Sequence, residues 1–311
     1  MDEQARPPGG MTLAAFGVAV WLGGGNFLAV RFSNRELDPV WGAALRFSIA
    51  ALLFIAIVSV MRLRWPRGRT LVLNLAYGLL SITLFYALVY WALVRVSAGI
   101  AAVVLAIVPL VTLLLAAAHR MERLGGRAIA GSVLALTGIL WMTIGLEDVE
   151  LPLGPLVAML LSALAVGEGV IVGKKLAASH PAVTNAVALG VGAPSLIVLS
   201  LLFGDSWVLP RQPEVVWSLV YLVTLGSVGL FVLVLLVVRH WTASATSYMF
   251  VLFPVVTMIL GAWLADEPIT SQGAVGAAVV VTGVWFGALS PAARADRAAL
   301  APPVRGQPTT P

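Results

Sequence analysis

From residue 12 onwards the chain alternates long apolar runs with short polar breaks. Ten runs fall near 12–31, 38–61, 70–91, 97–119, 127–145, 153–173, 182–203, 214–237, 243–264 and 271–290. Their length, about 20 residues, is what a helix needs to cross roughly 30 Å of hydrocarbon. They are continuously apolar, which excludes the in–out alternation of a membrane β-barrel. The breaks carry helix-stopping or charged residues: "SNRELDP", "RLRWPRGR", "EDVELP", "ASHPA", "GDSWVLPRQP" and "DEP". The pattern predicts an all-α integral membrane protein with ten transmembrane helices. Residues 1–11 read as a polar tail without the features of a signal sequence, and 291–311 as a disordered tail.

Composition agrees with that reading. The chain is 60% apolar and only 11% charged, with a mean hydropathy of +1.00. A soluble domain carries roughly 25% charged residues. With no cysteine, disulfides, thiolate metal sites and cysteine nucleophiles are excluded. The high pI, about 10.1, does not signal a nucleic-acid partner, because the charges lie between apolar runs and not on one soluble face. With a cytoplasmic N-terminus, the inner segments hold fourteen of the nineteen basic residues: Arg6, Arg62, Arg64, Arg67, Arg69, Arg120, Arg123, Arg127, Lys174, Lys175, Arg239, Arg294, Arg297 and Arg305. Arg31, Arg35, Arg95 and Arg211 fall outside. Positive residues concentrate on the cytoplasmic side of membrane proteins, so both termini are expected there. His119, His180 and His240 are too scattered for a metal site.

The runs also repeat. "PLVTLLLAAAHRMERLGG" (109–126) returns 145 residues later as "PVVTMILGAWLADEPITS". Between Pro109 and Trp141, nine of thirty-three positions match at this offset, including Glu122 with Glu267, Gly131 with Gly276, and Thr137–Gly138 with Thr282–Gly283. The arginines do not return: Arg120, Arg123 and Arg127 become Ala265, Pro268 and Gln272. Five helices per half is an odd number, so the second half enters the membrane from the opposite side. The packing frame repeats, while the inner loop's positive charge is dropped in its outer echo. The expected organisation is a first repeat over 12–145 and an inverted second repeat over 153–290. Inverted halves that exchange conformations are characteristic of secondary transporters.

Several segments resemble the EamA family of the drug/metabolite transporter superfamily. They are "WLGGGNFLAVRF" (21–32), "GAALRFSIAALLF" (42–54), "SAGIAAVVLAIVPLVTLLLAA" (97–117) with Glu122, and "TASATSYMFVLFPVVTMILGAWLADEP" (242–268). "HRMERLGG" departs from the family's cleaner Gly-Glu loop. Among bacterial members the chain is most similar to the exporters of aromatic and diverse amino acids. The resemblance implies ten helices in two inverted five-helix repeats, no cofactor and no enzymatic activity.

Within the helices, polar residues are few enough to weigh singly. Glu168 lies between Gly167 and Gly169, as a counter-charge for a substrate amine or a proton carrier, or as a carboxylate paired with Lys175. Arg46 invites a carboxylate, although an arginine recurring here across the family favours a bracing role. Asn26 follows three glycines and can bond cargo or backbone. Tyr77, Ser81 and Phe85 share one helix face, Tyr86 and Tyr90 another; Tyr77, Tyr86 and Tyr248 suit an apolar cavity with hydroxyls. Tyr90 reads as an interfacial aromatic. Pro109 and Pro254 are expected midway along their helices, bending them. The small-residue starts "SAGIAA" and "TASATS", with Gly99 and Ser244, are expected to pack tightly and act as paired gates. No phosphate-binding loop is present, so primary pumping is excluded. Together these features predict an inner-membrane exporter of neutral and aromatic amino acids, embedded in lipid. Export of lipophilic cations with Glu168 as partner is the alternative, and a non-transporting scaffold a weaker one.

Overall fold

The computed structural model describes residues 8–93, 105–143, 153–265, 268–290 and 293. Among these, nine helices are long and apolar enough to cross a membrane, and a shorter apolar helix completes the set. They are α1 (Gly10–Ser33), α2 (Pro39–Val60), α3 (Gly68–Ala92), α4 (Val108–Ala118), α5 (Gly126–Thr143), α6 (Leu153–Lys175), α7 (Pro181–Phe203), α8 (Pro213–His240), α9 (Ala243–Leu264) and α10 (Ser271–Leu289). Proline opens α2, α7 and α8, where its missing N–H costs nothing. Thr242 and Thr270 cap α9 and α10 through their hydroxyls.

Helix packing follows a two-fold exchange of the halves. α1 packs on α8 and α9, and in the mirrored half α6 packs on α3 and α4. The α3–α7 contact is echoed by α8–α2, while α2–α7 and α5–α10 each pair an element with its own counterpart. The packing is that of two inverted five-helix repeats, interleaved so that the main contacts run between halves.

The glycines that match at offset 145 explain the α5–α10 seam. Gly131 faces Gly283, and Gly138 faces Gly276, each pair the symmetry mate of the other. A Cβ added to Gly283 would lie 2.6 Å from the Ala135 nitrogen; one on Gly138 would lie 2.7 Å from the Val280 nitrogen. In lipid, helices gain little from hydrophobic burial against one another, so close backbone approach supplies the attraction.

A second shared feature is invisible in the sequence. Six-residue π-helical turns interrupt α3 at Leu79–Leu84 and α8 at Thr224–Gly229, again 145 residues apart. A π-turn widens the helix and frees backbone carbonyls from the regular ladder. The first turn contributes Ser81 and Ile82 to the wall of the central cavity, and the second stands behind the lining residues Asn26 and Arg46.

The α1–α2 loop is pinned to the α7–α8 loop. Trp41 donates its backbone N–H to Asp205 at 2.8 Å and its indole N–H to the Val208 carbonyl at 2.7 Å. Its ring stacks on Trp207 at 4.5 Å. Asp38 accepts from the Ser206 N–H and hydroxyl, which hold its carboxyl below the usual carboxylate range. The opposite face is held differently. Glu122, in the α4–α5 loop, accepts from the Ser244 N–H at 3.1 Å and from the Ser244 hydroxyl, at the start of α9. Lys174 donates to the Arg239 and Trp241 carbonyls at 3.0 and 2.7 Å.

Pro254 lies near the middle of α9, as expected, whereas Pro109 has a different setting. Pro109 occupies the first turn of α4, directly after a break at Ala106–Ile107, and the start of its expected run, 97–104, lies outside the described residues. Pro254 is inside Met249–Leu264, in a helix already interrupted at Tyr248. Gly99 lies outside the described residues, and Ser244 is buried at the α9 start.

Candidate functional site: a central cavity at the repeat interface

A cavity of about 190 Å³ lies between α1, α2, α3, α6, α8 and α9. None of the described lining residues comes from α5, α7 or α10, which instead form the supporting pairs. The walls are aromatic and aliphatic, with Phe27, Phe85, Phe231, Phe250 and Phe253 prominent. Phe85, Phe250 and Phe253 form a chain of edge-on ring contacts along one wall. Such a lining suits an apolar side chain, whose transfer from water contributes about 25 cal/mol per Å².

Polar groups gather at one place, where α1 and α2 meet the π-turn of α8. Asn26 donates through Nδ2 to the Gly226 carbonyl at 3.0 Å. Arg46 donates through Nη2 to the same carbonyl at 2.8 Å, and through Nε to the Ser227 hydroxyl at 2.8 Å. Its guanidinium carbon sits 4.8 Å from the Phe47 ring centroid, a cation–π contact. The π-turn thus presents a carbonyl and a hydroxyl that hold one arginine, itself only 2% exposed, against the cavity. The bracing and carboxylate readings of Arg46 are therefore compatible: part of the fork is bonded, and the residue still lines the cavity.

Of the residues singled out by sequence, Asn26, Arg46, Tyr77, Ser81 and Tyr86 come together as lining residues. Tyr90, expected at the membrane interface, is buried and lines the cavity too. Its ring stacks with Tyr86 at 6.1 Å, and Tyr86 meets Phe47 edge-on at 4.7 Å.

Tyr248 and Glu168 go elsewhere. Tyr248 is 1% exposed and points into the α5–α9 contact, where its hydroxyl donates to the Ala128 carbonyl at 2.8 Å and meets the Ser132 hydroxyl at 2.9 Å. Those hydrogen bonds occupy the hydroxyl that the sequence pattern assigns to cargo. Glu168 turns outwards to His119 at the end of α4, accepting from Nε2 at 2.8 Å. The other ring nitrogen faces Lys175 Nζ at 3.4 Å. An ammonium only donates, so in this arrangement Nδ1 accepts and Nε2 donates, and the imidazole bridges carboxylate and ammonium. Of the two sequence readings, this arrangement is close to the Lys175 pairing, with His119 inserted. Glu168→Gln should therefore leave substrate KM unchanged in liposome transport, because a Gln carbonyl still accepts from His119. A KM rise of about tenfold, roughly 1.4 kcal/mol, would restore Glu168 to the cargo path.

Of the aromatic wall, only Phe85 shows in the sequence, through the face it shares with Tyr77 and Ser81; the other phenylalanines carry no contrast in an apolar chain. Ser227 and the Gly226 carbonyl escape sequence reasoning for another reason: only the π-turn brings them to Arg46.

With this geometry in place, the chain can be set beside known proteins. The sequence profile described as "EamA-like transporter family" matches residues 9–144 and again 153–288. A "probable amino-acid metabolite efflux pump" of Escherichia coli is 29% identical over 88% of this chain and 93% of its own length. A "probable terminal-alkyne amino-acid exporter" of Streptantibioticus cattleyicolor is 27% identical over 78% of this chain and 81% of its own. An uncharacterised transporter of Archaeoglobus fulgidus is 26% identical over 84% and 92%. One crystal structure superposes with a TM-score of 0.74 over 90% of this chain and 96% of that one, at 21% identity, which establishes the shared fold. Two inverted five-helix repeats, a cavity at their interface and a profile match to each half lead to one conclusion: the chain belongs to the EamA-like transporter family.

Proposed function

We propose that the protein exports neutral and aromatic amino acids, or close metabolites of them, across the inner membrane by alternating access, with both termini in the cytoplasm. The observation that carries this reading is the cavity itself: aromatic walls around about 190 Å³, with one guanidinium held at the polar end. The names of the Escherichia coli and Streptantibioticus relatives, both concerned with amino-acid efflux, support it. A lipophilic cation is not favoured. Among the described lining residues the formal charge is Arg46, which repels a cation, and no carboxylate faces the cavity.

The test is transport by purified protein in liposomes. Labelled phenylalanine should equilibrate across the membrane without an imposed pH gradient, and unlabelled neutral amino acids should compete. Uptake of a paraquat-like cation with no effect of amino acids would overturn the proposal. Orientation is checked by reporter fusions. Fusions after Arg69, Arg127 and Pro311 should report cytoplasm, and one after Asp148 periplasm; the reverse pattern would overturn the assigned direction.

A further inference from the structure

The charge in the cavity is one-sided. At offset 145, Arg46 corresponds to Val191 and Ser227 to Ile82, so the polar cluster at the α8 π-turn has an apolar mate. Arginine carries five N–H donors. Two are used, on Ser227 and Gly226, and three have no partner among the described residues. The described ion pairs are Arg35–Glu214 and His119–Glu168, neither of which involves Arg46. A buried cation without a counter-charge is costly, and a ligand that supplies the charge relieves that cost. A carboxylate fits best, because its two oxygens match the remaining fork. A phosphate dianion would leave half its charge unbalanced against an apolar wall.

An ammonium finds no equal provision among the described residues. Near Arg46 the unused acceptor is neutral: Asn26 Oδ1 is buried and has no hydrogen-bond partner. Beyond it stand the rings and hydroxyls of Tyr86 and Tyr90. Such groups accept one weak bond or a cation–π contact, while the nearby guanidinium opposes positive charge.

We propose that this site selects cargo on the carboxylate and not on the amine. Its substrate class is then the amphiphilic monocarboxylates with an apolar or aromatic tail, with or without an α-amino group. The inference rests on the export reading above but narrows the chemistry within it. Arg46 is the anchor, Asn26 and the π-turn position it, and the phenylalanine wall holds the tail.

The experiment titrates three ligands into the purified full-length protein by calorimetry at neutral pH: phenylalanine, 3-phenylpropionate, which lacks the amine, and phenethylamine, which lacks the carboxylate. Losing the ammonium removes its bond to a neutral acceptor but also its repulsion by Arg46, so 3-phenylpropionate should bind within about threefold of phenylalanine. Losing the carboxylate leaves Arg46 unpaired, so phenethylamine should bind at least about tenfold more weakly. If phenylalanine binds and 3-phenylpropionate is more than about tenfold weaker, the inference is overturned while export of amino acids stands. If both carboxylates bind but neither crosses in liposomes, the carboxylate site stands and the export reading falls. Arg46→Gln also removes the brace on α8, so Asn26→Asp is the more informative variant. Asn26 and Arg46 meet at one carbonyl, 3.0 and 2.8 Å away, and an aspartate there would neutralise the guanidinium internally. The folded variant should lose about tenfold in 3-phenylpropionate affinity and gain in phenethylamine affinity. An unchanged ranking in folded Asn26→Asp would overturn the proposal, and the three-ligand series on the unaltered protein decides it if that variant does not fold.

Discussion

Gly283→Leu should abolish accumulation of folded protein, and Gly138→Leu should do the same. Each glycine lies where α5 and α10 touch backbone to backbone, and the atoms an added Cβ meets are mainly main-chain nitrogens and carbonyls. A clash with a flexible side chain relaxes by rotation; a clash with two helix backbones relaxes only by parting the helices. Overpacking costs about 1–3 kcal/mol where neighbours can shift, and these neighbours cannot. Even Gly283→Ala should lower the thermal midpoint of the detergent-solubilised protein by several degrees. Gly190→Ala is the control: it lies within α7 with nothing within 4 Å of the added carbon. Replacing a helical glycine there should stabilise by roughly 0.5–1 kcal/mol. Equal behaviour of Gly190→Ala and Gly283→Ala would remove the seam from the account of assembly.

Glu122→Ala should unlatch the face that carries the α4–α5 loop. The carboxylate holds the first turn of α9 through the Ser244 N–H and hydroxyl, in a residue that is buried. Removing it strands those donors, at about 1–3 kcal/mol for each buried group left unpaired. Exposure of this end to water satisfies them again, so the conformational balance shifts towards opening there. A cysteine placed at Thr246, a lining residue near that end, supplies the readout in a chain with no native cysteine. Its reaction with an impermeant maleimide added on the loop side should accelerate about tenfold, the equivalent of roughly 1.4 kcal/mol. An unchanged labelling rate would make the Glu122–Ser244 contact a mere cap. Ser244→Leu should act in the same direction. The mirrored contact expected at Gly99 and Glu267 falls outside the described residues.

Much of this architecture is legible in the order of residues alone. Continuous apolar runs announce the helices, because a lipid-facing chain has no polar side to hide them. The echo of Pro109–Gly138 in Pro254–Gly283 announces the halves, and its lost arginines announce their inversion. The cavity is legible only where a residue contrasts with its surroundings. Asn26, Arg46, Ser81 and Tyr86 do so, and they line the cavity. Tyr248 contrasts equally, yet its partner is a carbonyl 120 positions away on α5, which helical periodicity cannot anticipate. For Glu168 the chain offers Lys175 on the same helix as partner, whereas His119 comes from another helix. The π-turns leave no mark in composition, since they are a change of hydrogen-bond register and not of residue type.

The packing between halves bears on how the chain is made. Ribosomes deliver about 5–20 residues per second, so α1 and α2 enter the bilayer on the order of ten seconds before α8 and α9 follow. For that interval α1, α2 and α5 lack the partners they are destined to touch, since those belong to the second half. Arg46 waits without Gly226 and Ser227, a charge in hydrocarbon that must reach towards the headgroups or draw water inwards. The nascent first half is thus the stage most exposed to membrane quality control. Its release from that scrutiny comes only with the last helix, when α10 is drawn against α5.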